Sequence, residues 1–168
     1  MASYTETDTY VLFLRGPFSN FATVDIQYRG YTFATTEQAF MYAKAVAFSD
    51  EVTALKLLDP TLTPWQSKEL GRQVKGYTDH VWSQVRYTRM LEVNREKYKK
   101  EYFKKLLLAT GTKTLVECNP RDLVWGVGLD ENHPDATDPL QWKGQNLLGQ
   151  VLMQIRSELV ERSLEFKV

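Results

Sequence analysis

The stretch TTEQAFMYAKAVAF, from Thr35 to Phe48, is apolar on almost every side when wound as a helix. A helix of that kind has to be covered by protein, so the rest of the chain must pack around it. It nevertheless carries Glu37 and Lys44, whose seven-residue spacing stacks them two turns apart on one face. An isolated buried charge is costly, so the pair needs partners or shifted pKa values. Two readings stand. In one, Glu37 sits at an exposed first turn favoured by the helix dipole and Lys44 reaches water. In the other, both line a pocket floored by this helix.

The 168 residues fit one ordinary domain with a single core. With 43% hydrophobic and 25% charged residues, the balance is that of a soluble globular chain rather than a disordered one. Lys+Arg and Asp+Glu are equal at 21, which removes the basic excess of a general nucleic-acid coat and leaves only local basic patches. Cys118 is alone, and His80 and His133 lack metal-ligand spacing, so neither a disulfide framework nor a structural zinc is expected. No cofactor is expected either. The polar start MASYTETDTY and the lack of any run near about eighteen apolar residues argue against secretion or membrane spanning. A cytoplasmic location follows as an expectation.

No repeat or long linker divides the chain, so one domain over 1–168 is expected. Tyr10 to Leu14 reads as a short strand, and Val24 to Tyr28, Arg29-Gly30 and Tyr31 to Phe33 as a hairpin. Thr35-Thr36-Glu37-Gln38 fits a capping box. Ser49 is the expected cap of a second helix through Leu58, and Thr63-Pro64 opens a third over Trp65 to Val74. A longer helix starts at Thr78 or Asp79, and Arg95 to Lys100 reads as a solvated helix face leading into Tyr102 to Ala109. Leu115 to Cys118 is a candidate strand, and a last helix spans about Asn146 to Arg162. The result is an α+β fold, mostly helical, with a small N-terminal β-hairpin or sheet.

Asn119 to Gly144 is loop-like and long, and loops of that length in compact domains are usually functional or disordered. Trp125 and Trp142 argue for order. Further weak signals are spread along the chain. Ser19 and Asn20, between Phe18 and Phe21, suit a lip that stacks a base and bonds its edge, or else a turn with two core phenylalanines. Arg72 suits a phosphate or a surface carboxylate. Trp125-Gly126-Val127-Gly128 offers backbone amides and a stacking plate, and Gly144 to Gly149 opens the last helix as an anion site.

Together the segments PFSNF, TTEQAFMYAKA, GRQVKGYTDHVW with VRYTRM, LLATGTKTLVECNPRDLVWGVG and KGQNLLGQVLMQIR resemble the ordered motifs of the NADAR (YbiA-like) family, over roughly Phe13 to Leu159. The resemblance implies a mostly helical α+β fold and N-glycosidase activity on ribosylated amines. The substrate classes it implies are phosphoribosylamino-pyrimidine intermediates of riboflavin synthesis and ADP-ribose attached to guanine, in nucleic acid among other settings. It places the family's glutamate on Glu37, its helix lysine on Lys44, its tryptophans on Trp82 and Trp125, and Gly126, Asp122 and Asn146 at the remaining motif positions. Ser19, Asn20, Phe21 and Arg72 complete the expected substrate-binding set. One departure is visible: riboflavin-type members read WGDG, and this chain reads WGVG followed by DENHPDATDPLQW. An acid is missing at Val127, and whether Asp130 or Glu131 replaces it stays open, which favours the ADP-ribose substrate. The rival classes are a non-catalytic ADP-ribose or NAD-binding module and a helical scaffold.

Overall fold

A computed structural model describes residues 3–165, which form a mostly helical α+β fold. Two compact units are present: Asn20–Lys97, and the residues up to Ser19 together with those from Tyr98 onward.

The Asn20–Lys97 unit opens with a short hairpin: strands β3 (Ile26–Tyr28) and β4 (Tyr31–Phe33) pair antiparallel with Ile26 opposite Phe33. Arg29 and Gly30 both take positive φ, 50° and 85°, as a two-residue turn requires. Helix α1 (Thr36–Ala47) follows, capped by Thr35, whose hydroxyl accepts from the Gln38 N–H at 3.1 Å. The expected reciprocal half of that capping box does not form. The Gln38 side chain instead accepts from the Ala34 N–H and donates to the carbonyls of Leu57 and Asp59, because a buried amide gains more from those two orphan carbonyls than from the cap. Helix α2 (Glu51–Lys56) is capped by Asp50 rather than Ser49, which takes φ 55° in the turn after α1. Helix α3 (Pro64–Arg72) has the full capping box between Thr63 and Gln66. Helix α4 (Asp79–Lys97) ends the unit, with Met90, Leu91 and Val93 buried.

The other unit contains a three-stranded sheet in the order β1 (Tyr4–Glu6), β2 (Tyr10–Phe13), β5 (Thr114–Glu117). Strand β1 runs antiparallel to β2, and β2 runs parallel to β5 with Leu12 opposite Val116. Helix α5 (Glu101–Ala109) precedes β5, and α6 (Leu147–Glu165) packs Leu148, Val151, Leu152 and Ile155 inward. Residues 119–146 are ordered around an apolar cluster of Leu12, Val116, Cys118, Val127, Leu129 and Ala136, with Tyr10 and Trp142 against it. Lys97 and Tyr98 lie within the segment expected to be a solvated face, and the structure corrects this: both are fully buried.

The α1–α3 contact depends on one glycine. A side-chain carbon on Gly71 would overlap the sulfur of Met41, so a larger residue there forces the Met41 side chain to move or the helices to part. Gly71→Ala should therefore lower stability by about 1–3 kcal/mol, as forced overpacking does. Urea unfolding checks this, and adding Met41→Ala should restore part of the loss. Equal midpoints for Gly71→Ala and wild type would mean the helices can separate freely.

Candidate active site

Helix α1 brings the two charges of the opening motif into one neighbourhood. Glu37 is 8% exposed and Lys44 is half-buried, so the reading with an exposed first-turn carboxylate does not hold. The helix start is fixed by Asn20, whose carbonyl accepts from the Glu37 N–H at 3.1 Å. Asn20 also receives the Thr36 hydroxyl, at 3.1 Å on its carbonyl and 2.9 Å on its side-chain oxygen. Its side chain further meets Asn94 Nδ2 at 3.3 Å and Met90 Sδ at 3.4 Å. The Asn20 amide is thus engaged by protein, and its observed part is to position Glu37.

Burial pushes the Lys44 amine below its ordinary range. The Glu37 carboxylate acts the other way, favouring the ammonium, and the Arg72 guanidinium reinforces the decrease. Lys44 Nζ also lies 4.5 Å from the centroid of the Tyr77 ring, a contact that stabilises the charged form. The net direction is downward because desolvation is the largest contribution. Tyr77 was not among the expected site residues. It stands within the GYTDHVW segment, but only the fold reveals its contact with Lys44.

Around this pair, Trp82 is 5% exposed and stacks at 5.2 Å on Phe40 and 6.3 Å on Phe48, forming an apolar wall within the unit. Arg72 is exposed and paired with Glu69 at 3.1 Å. Phe21 meets Trp65 edge-on at 4.9 Å.

In the other unit, Ser19 is buried, and its N–H donates to the Gly16 carbonyl at 3.1 Å. Phe18 is core, between Tyr4 and Phe13. Asp122 Oδ1 accepts from the N–H groups of Val124 and Trp125 at 2.9 and 2.8 Å, which shapes the turn carrying Trp125. Gly126 is buried and leaves no room for a side chain beside the Glu117 carbonyl. Asn146 takes φ 55°, with its side-chain oxygen accepting from Glu117 N–H at 3.0 Å and its NH2 donating to the Leu115 carbonyl at 2.9 Å. It pins β5 to the start of α6.

The expected anion site at that helix start is corrected. The N–H groups of Asn146, Leu147 and Leu148 donate to the carbonyls of Gly126, Val124 and Trp125 at 3.1 Å each, so these donors are occupied. In WGVG, the Trp125 and Val127 amides are likewise taken, by Asp122 and the Glu117 carbonyl. Val127 is wholly buried in the apolar cluster, while Asp130 is exposed and accepts from the Asn132 N–H. The Cys118 thiol is pushed up to about 12 by burial, with Glu131, Asp130 and Glu117 adding to the effect, so it is no nucleophile. Among the described residues, no three His, Cys, Asp or Glu side chains cluster to hold a metal, and no helix is long and apolar enough to cross a membrane.

Comparison with known proteins bears on the family and the fold. Residues 8–160 match the NADAR domain. An N-glycosidase of Acanthamoeba polyphaga mimivirus is 34% identical over 91% of this chain and 98% of its own length. N-glycosidase YbiA of Escherichia coli K12 is 31% identical over 93% of this chain and 86% of its own. The NMR structure of the E. coli protein YbiA superposes with a TM-score of 0.75 at 30% identity, covering 97% of this chain and 92% of that one.

Replacement of Asn146 should read out its positional part. Asn146→Ala strands the Glu117 N–H and the Leu115 carbonyl and puts alanine at positive φ, so it should cost about 2–4 kcal/mol in urea unfolding. A variant as stable as wild type would show that β5 does not depend on this amide.

Proposed function

This chain belongs to the NADAR domain family, and on that premise we propose that it is an N-glycosidase acting on the C1–N bond between a ribose and an amine. The substrate we propose is ADP-ribose carried on guanine in nucleic acid, with Lys44 and Glu37 as the reacting side chains. The observation that carries the reading is the desolvated Lys44 amine, shifted downward, on the same helix as the buried Glu37. The named activity of the two N-glycosidase relatives supports the reaction class.

The chemistry follows from what a glycosylamine does. The amine nitrogen pushes its lone pair toward C1, the ring oxygen leaves with the C1–O electron pair, and Glu37 passes to that oxygen the proton it has taken from the Lys44 ammonium. The neutral Lys44 amine then adds to C1 of the resulting iminium. Proton transfer to the original amine lets it depart with the C–N electron pair, leaving the sugar as an imine on Lys44. Water adds to that imine, and release of Lys44 yields the free sugar. The sum is substrate plus water to sugar plus amine. Lys44 must spend time neutral, which its burial favours. Glu37 and Tyr77 oppose that form, so substrate binding has to weaken one of their holds on the ammonium. Direct attack of water assisted by Glu37 is the competing route through the same residues.

Within this reading Arg72 meets phosphate in exchange for Glu69, and Phe21 contacts the substrate. Asn20 and Asn146 act by positioning, Asp122 and Gly126 shape the turn at Trp125, and Trp82 backs α1.

Incubation with an ADP-ribosylated guanine oligonucleotide, beside a ribosylamino-pyrimidine phosphate, tests the substrate. Release of ADP-ribose is expected from the first; release from the second alone would assign the riboflavin-type substrate, and binding without release would make the protein a reader. Lys44→Arg should abolish turnover while binding survives, because arginine stays protonated. Borohydride during turnover should trap a ribose adduct on Lys44. An active Lys44→Arg enzyme with no adduct would place the reaction with Glu37 and water. Glu37→Gln should lower kcat about 10²–10⁴-fold.

The pH dependence has a defined sign. Lys44 and Glu37 share one proton in this route, and Lys44 in the folded protein gives it up to solvent below its ordinary value of 10.5, so kcat/KM should fall as pH rises toward 10.5 and the shared proton is lost. A profile that stays flat to 10.5 would remove the shared proton from the mechanism.

A further inference from the structure

Helix α3 carries a surface of which the glycosidase chemistry uses only Arg72. Trp65 is 69% exposed, yet its indole is braced edge-on by Phe21, with centroids 4.9 Å apart and planes at 88°. The Lys68 ammonium stands 5.8 Å from the indole centroid. Trp65, Lys68 and Arg72 follow an i, i+3, i+7 pattern, so they line one stripe ~10 Å long on α3. At one end of the stripe, Arg72 acts on Lys44; at the other, Phe21 follows Asn20, the residue that holds Glu37.

A single exposed tryptophan is ordinary surface. A braced indole beside a cation, aligned with a guanidinium next to the reacting amine, is a more specific arrangement. Exposed aromatic plates with neighbouring cations are the elements that hold single-stranded nucleic acid, the plate stacking a base and the cations meeting the backbone. The Arg72–Glu69 pair is itself exposed, so exchanging the carboxylate for a phosphate costs little.

We propose that the Trp65–Lys68–Arg72 stripe is a subsite for the nucleotide adjoining the modified one in a single strand, with its base on Trp65 and its phosphate between Lys68 and Arg72. The subsite deepens the reading given under Proposed function and rests on it, since only a glycosylated base within a strand has such a neighbour. It makes the strand, rather than the free nucleotide, the preferred substrate.

Two measurements separate this subsite from the reaction. The first is fluorescence anisotropy with an unmodified single-stranded DNA of about ten nucleotides, a length within the usual site sizes. Trp65→Ala should weaken binding roughly tenfold, the scale of one lost stack, and Trp65→Phe should recover most of it. Lys68→Ala should make affinity less sensitive to salt. Failure of the wild type to bind, or equal binding by Trp65→Ala, overturns the subsite whatever the release assay gives. The second compares release of ADP-ribose from a modified oligonucleotide and from the modified mononucleoside. Lys68→Ala should lower kcat/KM on the oligonucleotide and leave the mononucleoside unchanged; equal losses on both would overturn the subsite. Tryptophan-dependent binding without release of ADP-ribose from either substrate would overturn the glycosidase reading and leave the stripe as a strand-binding surface.

Discussion

Three consecutive polar side chains, Thr36, Glu37 and Gln38, are buried at the start of α1, and the arrangement of residues 20–97 depends on satisfying them. Water cannot reach this turn freely, so each group needs a protein partner or carries a desolvation cost of about 1–3 kcal/mol. Asn20 takes the Thr36 hydroxyl and the Glu37 N–H, and Gln38 donates to the two carbonyls around the end of α2. The hairpin side, α1 and α2 are thereby tied through one helical turn. Gly71 then sets how closely α3 comes to α1, and Arg72, the next residue, reaches the neighbourhood of Lys44 as a result. Stability and site geometry share the same few contacts.

Features that depend on local chemistry were legible in the sequence. The hairpin turn at Arg29-Gly30, the Thr63 cap with Pro64 behind it and the α1 span all follow from residues within a few positions of each other. So did the placement of Glu37 and Lys44 on one helix. The capping box at Thr35 failed in its second half because Gln38 found partners about twenty residues away, which no local pattern reports. The parallel pairing of β2 with β5 joins Tyr10 to Thr114, and β1 adds a three-residue strand too short to show an alternation. The charge run at Arg95–Lys100 looked solvated by composition, yet Lys97 and Tyr98 are buried, since burial follows the tertiary surroundings of each residue rather than the average polarity of its segment.

The helix start at Asn146 makes the same point for the site. Glycines flanking a helix N-terminus suit an anion, and the pattern GQNLLG has that form. Here the carbonyls of Val124, Trp125 and Gly126 fill the donors, and close packing requires the glycines: any side chain at Gly144 or Gly149 would strike backbone. Small residues at a helix start therefore report proximity, and only the surrounding chain decides whether a ligand or a carbonyl is what comes near.

A lowered lysine pKa is equally ambiguous until accessibility is considered. Burial pushes the Lys97 amine down to about 7. It is also fully buried, and a substrate carbon cannot approach an amine that no solvent reaches. Lys44 has the smaller desolvation of a half-buried group, together with a carboxylate and a guanidinium acting on it from opposite directions. Lys44 alone of the two combines a lowered proton affinity with access, which is what the proposed reaction asks of an amine, whereas burial leaves Lys97 with a shift and no access.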